Sequence, residues 1–310
     1  MGSWHMGHWG MHRQLPAQIL CPVLYQSLAD LGGLPLLLPL DLMELSLVLG
    51  NLLILILTGL LMYYYSATFR YYTKVTVLDG YLIAISIVSL PFFVAHGRTV
   101  ENMRIIRTVM CPIRYLLGIK VKVQGKENLD IEGPYVIVAN HQSNVDFIVM
   151  FEALPERCVT VAKKEILYMG TFGLCCWLSK FIFIDRRKTD RAISVMSKVA
   201  QTMHQEDLRV WVFPEGTRSY GTTMLPFKHG AFHLAVQAQV PVVPVVLSSY
   251  STFFNRENKR FTTGECTIQI LPHVQTQELG PDDVPRLTEC VRQTMLTTFQ
   301  KTLEDAREHT

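Results

Sequence analysis

Residues 45–62, LSLVLGNLLILILTGLLM, carry no charged side chain, and this stretch limits the possible folds more than any other. It is just long enough for a helix to cross the hydrocarbon of a bilayer, where every backbone amide must find its partner inside the segment. Tyr63, Tyr64 and Tyr65 follow directly, as in an interfacial aromatic belt. A second apolar run, residues 81–95, is shorter and is interrupted by Pro91. It crosses only if extended, dips into one leaflet, or packs as an ordinary buried helix. Arg98, Arg104, Arg107, Arg114, Lys120 and Lys122 then cluster, offset only by Glu101. By the positive-inside rule this places the rest of the chain on the cytosolic side, and the cluster suits anionic headgroups. Arg70 and Lys74 lie between the two apolar runs and weaken that asymmetry. A spanning pair and a hairpin within one leaflet therefore both stay open.

The formal net charge of +3 is too small to argue for nucleic acid. No arginine-rich tract with interleaved aromatics and no finger-type Cys/His spacing occurs. The seven cysteines are scattered and odd in number, which fits a reducing compartment rather than a disulfide framework or a metal site. Adjacent Cys175 and Cys176 sit in an apolar stretch and read as packing residues. Residues 1–42 read as an atypical, weakly structured or disordered extension. Residues 43–96 read as membrane-anchoring helices, and residues 97–310 as a catalytic domain.

After Gly118 the texture changes. Ile119, Val121 and Val123 alternate with Lys120 and Lys122, the period of a strand. Buried strands are predicted over residues 135–139, 158–162, 181–184, 209–213, 242–247 and 266–271. Between them, Thr189 or Asp190 caps a helix with the apolar face Ile193, Met196, Val199, Ala200 and Met203. Residues 231–238 form another helix, and Val284 to Leu303 a terminal one. The alternation predicts an α/β fold: a largely buried mixed sheet flanked by helices and preceded by N-terminal membrane helices.

The strand Tyr135-Val136-Ile137-Val138-Ala139 runs into Asn140 and then His141-Gln142-Ser143-Asn144-Val145-Asp146. A neutral imidazole takes a proton from a hydroxyl near pH 7, and a carboxylate on its other nitrogen fixes the tautomer and steadies the cation. On one continuous helix, residues five apart diverge by roughly 140°. His141 and Asp146 meet if His141 lies in the strand-to-helix turn and Asp146 in the first helical turn, where the dipole favours an anion. By itself the spacing is a weak pattern, and alone it reads as a surface His and an N-terminal helix Asp with no shared task. Backbone amides near this turn are candidate oxyanion donors.

Other polar clusters follow other strands: Asp185-Arg186-Arg187, Pro214-Glu215-Gly216-Thr217-Arg218, and Lys228 ahead of the helix at residues 230–238. Arg186, Arg218 and Lys228 can converge on one anionic group, since guanidinium forks suit phosphate oxygens. Glu215 either fixes one of those arginines or accepts a bond from a substrate hydroxyl. Singly, each has an ordinary reading as a surface charge. In order, NHQSNVD, FIDR, FPEGTR and VPVVP resemble the four sequence blocks of the glycerolipid acyltransferase family. The likeness runs from about residue 121 to 271, with GRTVENMRIIR extending it upstream, and is nearest to the animal 1-acylglycerol-3-phosphate acyltransferases of the alpha type.

The resemblance implies transfer of a fatty acyl group from acyl-CoA to the sn-2 hydroxyl of lysophosphatidic acid, with another lysophospholipid or glycerol-3-phosphate as alternative acceptor. It implies His141 and Asp146 as catalytic residues and Glu215, Gly216, Thr217 and Arg218 as acceptor-binding, with Arg186 and Lys228 as further phosphate candidates. Acyl-CoA is a co-substrate; no cofactor and no metal are called for. The partners are the two substrates and membrane lipids, not nucleic acid. The implied location is the endoplasmic reticulum membrane, with the site facing the cytosol. A hydrolase using the same His/Asp pair on water, and a non-catalytic lipid-binding protein, are the competing classes. The chain lacks the G-x-S-x-G elbow of serine hydrolases.

Overall fold

The computed structural model describes residues 42–185, 189–219 and 223–308. Helix α1, Leu42–Tyr65, carries the uncharged run. It stops at Ser66, whose side chain caps the next helix by accepting the Phe69 amide at 3.2 Å. Arg70 reaches back to donate to the carbonyls of Tyr63 and Tyr64, filling acceptors that a helix C-terminus leaves open.

Helix α2, Ala67–His96, runs through Pro91. The proline costs one intrahelical bond but does not end the helix. Its buried residues are Tyr71, Lys74, Leu78, Ser86, Ser89 and Phe93, spaced to share one face. Ile83, Ile87, Val88, Phe92 and Val94 on the remaining surface are exposed. Lys74 donates to the carbonyls of Leu117 at 2.6 Å and Thr262 at 3.0 Å. Tyr81 donates to Val109, and Ser86 bonds Thr171. The helix thus lies along the catalytic part of the chain. Contacts divide the chain after Thr58, and Gly59–Thr310 form one compact unit. The anchor-to-catalytic boundary read from hydropathy at residue 97 is therefore not a boundary in packing, because polar side chains on α2 hydrogen-bond into the domain.

Helices α3 (Asn102–Met110) and α4 (Ile113–Leu117) lead into a seven-stranded sheet. Its strands are β1 (Ile119–Gln124), β2 (Val136–Ala139), β3 (Cys158–Lys163), β4 (Ile182–Ile184), β5 (Arg209–Val212), β6 (Val242–Leu247) and β9 (Gly264–Ile270), in the order β1-β9-β6-β2-β5-β3-β4. Strands β7 (Phe254–Asn255) and β8 (Arg260–Phe261) form a separate small hairpin. Five strands from β6 to β4 run parallel; β9 pairs antiparallel with β6, and β1 parallel with β9. The sheet is mixed, as predicted.

The helices are α5 (Asp146–Ala153), α6 (Gly170–Leu178), α7 (Thr189–Gln205), α8 (Gly230–Ala238) and α9 (Val284–Glu308). Helix α8 packs on β2 and α9 on β6, while α5 packs on β1 and β9, α4 on β1, and α3 on α5. Val136, Ile137, Val138 and Ala139 are fully buried, which is why β2 reads as an unbroken apolar run rather than an alternating one. Arg186 and residues 1–41, all but the last residue of the 1–42 stretch read above as an atypical extension, lie outside the described residues.

Candidate active site

The carboxyl ends of β2, β5 and β6 finish side by side: Val138 pairs with Val212, and Ala139 with Val245. A parallel sheet gathers the loops after its strands at one edge, where ligands bind. Polar side chains extend the ladder beyond the strands. Asn140 donates to the Leu247 carbonyl at 3.0 Å and accepts the Leu247 amide at 2.8 Å. Gln142 donates to the carbonyls of Leu247 and Ser248, each at 3.0 Å. The turn after β2 is therefore fastened to the end of β6 before any substrate arrives.

His141 lies in that turn and Asp146 opens α5, the arrangement that the spacing required. His141 Nδ1 and Asp146 Oδ2 are 2.6 Å apart. Asp146 is fully buried, and the His141 side chain is 15% exposed. A carboxylate oxygen that also accepts the amides of Gln142 at 2.6 Å and Ser143 at 3.1 Å is an acceptor, so Nδ1 carries the hydrogen and Nε2 is the basic nitrogen. Three donors and the α5 N-terminus support the buried carboxylate. The Val145 amide is taken by Ser143 Oγ. The amides of Gln142, Ser143 and Val145 are thus occupied within the turn, and that of His141 by Glu215 from the loop after β5, which removes these four from the candidate oxyanion donors.

The loop after β5 forms the other wall. Phe213 stacks under the His141 ring, with centroids 4.3 Å apart and planes inclined by 20°. Glu215 turns inward: 3% exposed, it accepts the His141 amide on Oε1 at 2.7 Å and the Leu225 amide on Oε2 at 2.9 Å. It pairs with no arginine among the described residues. Burial pushes its carboxyl above the ordinary value, against the opposing pull of those two amides. Gly216 has φ +69°, the left-handed region, and a Cβ there would fall 2.8 Å from Lys228 Cε and Nζ. Glycine lets the loop turn and lets Lys228 lie across it. Thr217, Arg218 and Lys228 are exposed. The loop closes back on the turn through the Ser219 amide, which donates to the His141 carbonyl at 2.8 Å.

A cavity of about 360 Å³ opens beside the turn, lined by Gln142, Ser143, Ser219 and residues of the 249–259 excursion between β6 and β9, among them Tyr250, Arg256 and Lys259. Sequence reading gave no role to Asn140, Phe213 or Tyr250. The first two adjoin or sit inside the quoted blocks and were legible as neighbours of the pair. Tyr250 follows β6 with no periodic or motif signal. Its hydroxyl is buried, with Asp146 and the Cys266 thiol as its polar neighbours.

An acyltransferase family model matches residues 120–248, which hold His141, Asp146 and the whole loop after β5. The chain is 50% identical over 246 residues to human 1-acyl-sn-glycerol-3-phosphate acyltransferase alpha, covering 79% of this chain and 87% of that protein. It is 43% identical over 242 residues to the human beta enzyme of the same name, covering 77% and 87%. It is 40% identical over 191 residues to the 1-acyl-sn-glycerol-3-phosphate acyltransferase of Saccharomyces cerevisiae, covering 61% and 63%. The fold matches the crystal structure of the 1-acyl-sn-glycerophosphate acyltransferase PlsC from Thermotoga maritima, with a TM-score of 0.55 and 22% identity over 73% of this chain and 94% of that one. At this identity and coverage, this chain belongs to the 1-acyl-sn-glycerol-3-phosphate acyltransferase family.

Proposed function

We propose that the protein transfers an acyl group from acyl-CoA to the sn-2 hydroxyl of lysophosphatidic acid, giving phosphatidic acid and CoA. The observation that carries this reading is the 2.6 Å bond between His141 and buried Asp146, which leaves one imidazole nitrogen free to act as a base. His141 Nε2 takes the hydroxyl proton as the oxygen attacks the thioester carbonyl. The tetrahedral intermediate collapses with cleavage of the C–S bond, and the thiolate recovers the proton from the imidazolium. Asp146 holds the ring and stabilises its charged form. The acceptor hydroxyl is the nucleophile, so no acyl-enzyme is required.

Arg218 and Lys228, exposed at the rim of the loop after β5, supply cations for the acceptor's phosphate. Arg186 is kept as a third candidate from its place in the FIDR block. The exposed apolar faces of α1 and α2 suit association with a bilayer, so that long-chain substrates need not be extracted into water. We place the protein in the endoplasmic reticulum membrane with the site facing the cytosol, on the basic cluster that follows α2 and on its family. No cofactor enters this scheme.

The test is CoA release from labelled acyl-CoA with and without lysophosphatidic acid. His141→Ala is expected to lose roughly 10²–10⁴-fold in turnover while staying in the membrane fraction. Normal turnover by that variant sinks the mechanism. Thioester cleavage independent of acceptor would identify a hydrolase instead.

A further inference from the structure

Asp146 presents two oxygens, and they are treated very differently. Oδ2 takes all three hydrogen bonds: from His141 Nδ1, the Gln142 amide and the Ser143 amide. Oδ1 is fully buried and accepts no well-formed bond from any described residue. A buried carboxylate oxygen left in that state costs free energy. The phenol of Tyr250 is in the same condition: its hydroxyl is buried without a formed partner, although phenols inside proteins normally find one.

The two stranded groups are neighbours. Tyr250 follows the end of β6, which Asn140 and Gln142 bind to the catalytic turn. It lines the same cavity as Gln142 and Ser143, whose amides hold Asp146. Its ring packs against Phe253, with centroids 5.6 Å apart, so the phenol is held on its flank with the hydroxyl towards Asp146 and Cys266. Burial first, and the adjoining carboxylate second, hold the hydroxyl protonated. It is therefore a donor facing an acceptor.

We propose that Tyr250 is a positioning residue for the catalytic pair, donating its hydroxyl hydrogen to Asp146 Oδ1 and thereby fixing the carboxylate that orients His141. The inference rests on the general-base reading of His141. Two consequences follow from electrostatics. The fourth donor fixes rotation of the carboxylate, so His141 keeps one orientation. It also draws negative charge away from Oδ2. Without it, the carboxylate turns more freely and the imidazole loses the fixed orientation that proton abstraction needs. The other titratable groups facing this cluster are Glu215 behind His141 and Cys266 beside the phenol, with Arg256, Glu257 and Lys259 around the cavity. Removing the hydroxyl changes none of their side chains.

The test is Tyr250→Phe in the full-length, membrane-bound protein, assayed with acyl-CoA and lysophosphatidic acid. The ring and its packing remain. We expect kcat to fall about tenfold or more and KM for both substrates to stay within about twofold. Asp146→Asn with Tyr250→Phe should be no slower than Asp146→Asn alone, because the phenol acts through the carboxylate. Turnover within about twofold of the unsubstituted protein overturns the proposal. Multiplying losses in the double variant overturn it as well. His141→Ala separates the two levels: if it is inactive while Tyr250→Phe is normal, only the role of Tyr250 falls.

Discussion

Glu215→Gln distinguishes a backbone clamp from a substrate ligand. In the structure both carboxylate oxygens accept main-chain amides, His141 at 2.7 Å and Leu225 at 2.9 Å. Glutamine is nearly the same shape but offers one oxygen and one NH2. One amide keeps an acceptor; the other faces a donor inside a site that is 3% exposed. The lost charge-assisted bond is worth about 1.5–3 kcal/mol and the stranded amide about 1–3 kcal/mol. Relief of burying a charge offsets part of this, leaving a net loss of about 2 kcal/mol. At roughly 2–4 °C per kcal/mol for a unit of this size, the apparent Tm should drop about 4–8 °C. Because the stranded amide belongs to His141 or to the loop it faces, the imidazole is misplaced, and kcat should fall roughly 10–100-fold. KM for lysophosphatidic acid should barely move. The pH dependence also has a sign. Burial raises the Glu215 carboxyl in the folded state, so the folded protein holds that proton more tightly than the unfolded chain. Stability therefore falls as pH rises from the ordinary carboxylate range to the raised value, then stays level; the Glu215→Gln variant lacks that slope. The assays are acyl-transfer kinetics and thermal unfolding against pH. A large rise in acceptor KM with unchanged kcat and Tm would refute the clamp.

Three further expectations follow. Arg218→Ala and Lys228→Ala should each raise the KM for lysophosphatidic acid roughly tenfold or more, with a smaller effect on acyl-CoA; unchanged acceptor kinetics in both would remove the phosphate role. Burial pushes the Cys266 thiol up to about 12, and Cys158 and Cys176 well above the usual thiol range. A maleimide at pH 8 should therefore label exposed Cys290 and spare these three until the protein unfolds, as read by peptide mass spectrometry. Gly125→Ala should cost at least about 1–2 kcal/mol, for the left-handed backbone alone: φ is +70°, and a Cβ would fall 2.2 Å from the Ile270 carbonyl oxygen. An unchanged melting curve would contradict that geometry.

The buried strands of the core were legible because strands covered on both faces are written as short apolar runs, as at Val136 to Ala139 and Val242 to Leu247. Strand direction was not legible. Nothing local in Gly264–Ile270 says that it runs against β6 and alongside β1, since pairing is fixed by partners far away in sequence. The two-residue strands β7 and β8 are too short to carry a period. In the site, His141 and Asp146 could be placed from helix geometry and block order. The inward turn of Glu215 could not, because a loop carboxylate has the same spelling whether it meets solvent or an amide. The seat of α2 was partly written: Lys74, Ser86 and Ser89 fall on one face with Tyr71, Leu78 and Phe93, a polar seam inside an apolar sequence that mean hydropathy averages away.

That seam decides what a shortened version of this protein can be. A cut at residue 97, where hydropathy would place it, strips away the Lys74 ammonium from the carbonyls of Leu117 and Thr262 and uncovers α6 at Thr171 and Cys175. The fragment gains solubility on paper and loses one wall of its own interior. A start near Ser66 discards the greasier helix yet keeps the one that belongs to the fold, and such a truncation should still need detergent, because Ile83, Ile87, Val88 and Phe92 remain outward-facing.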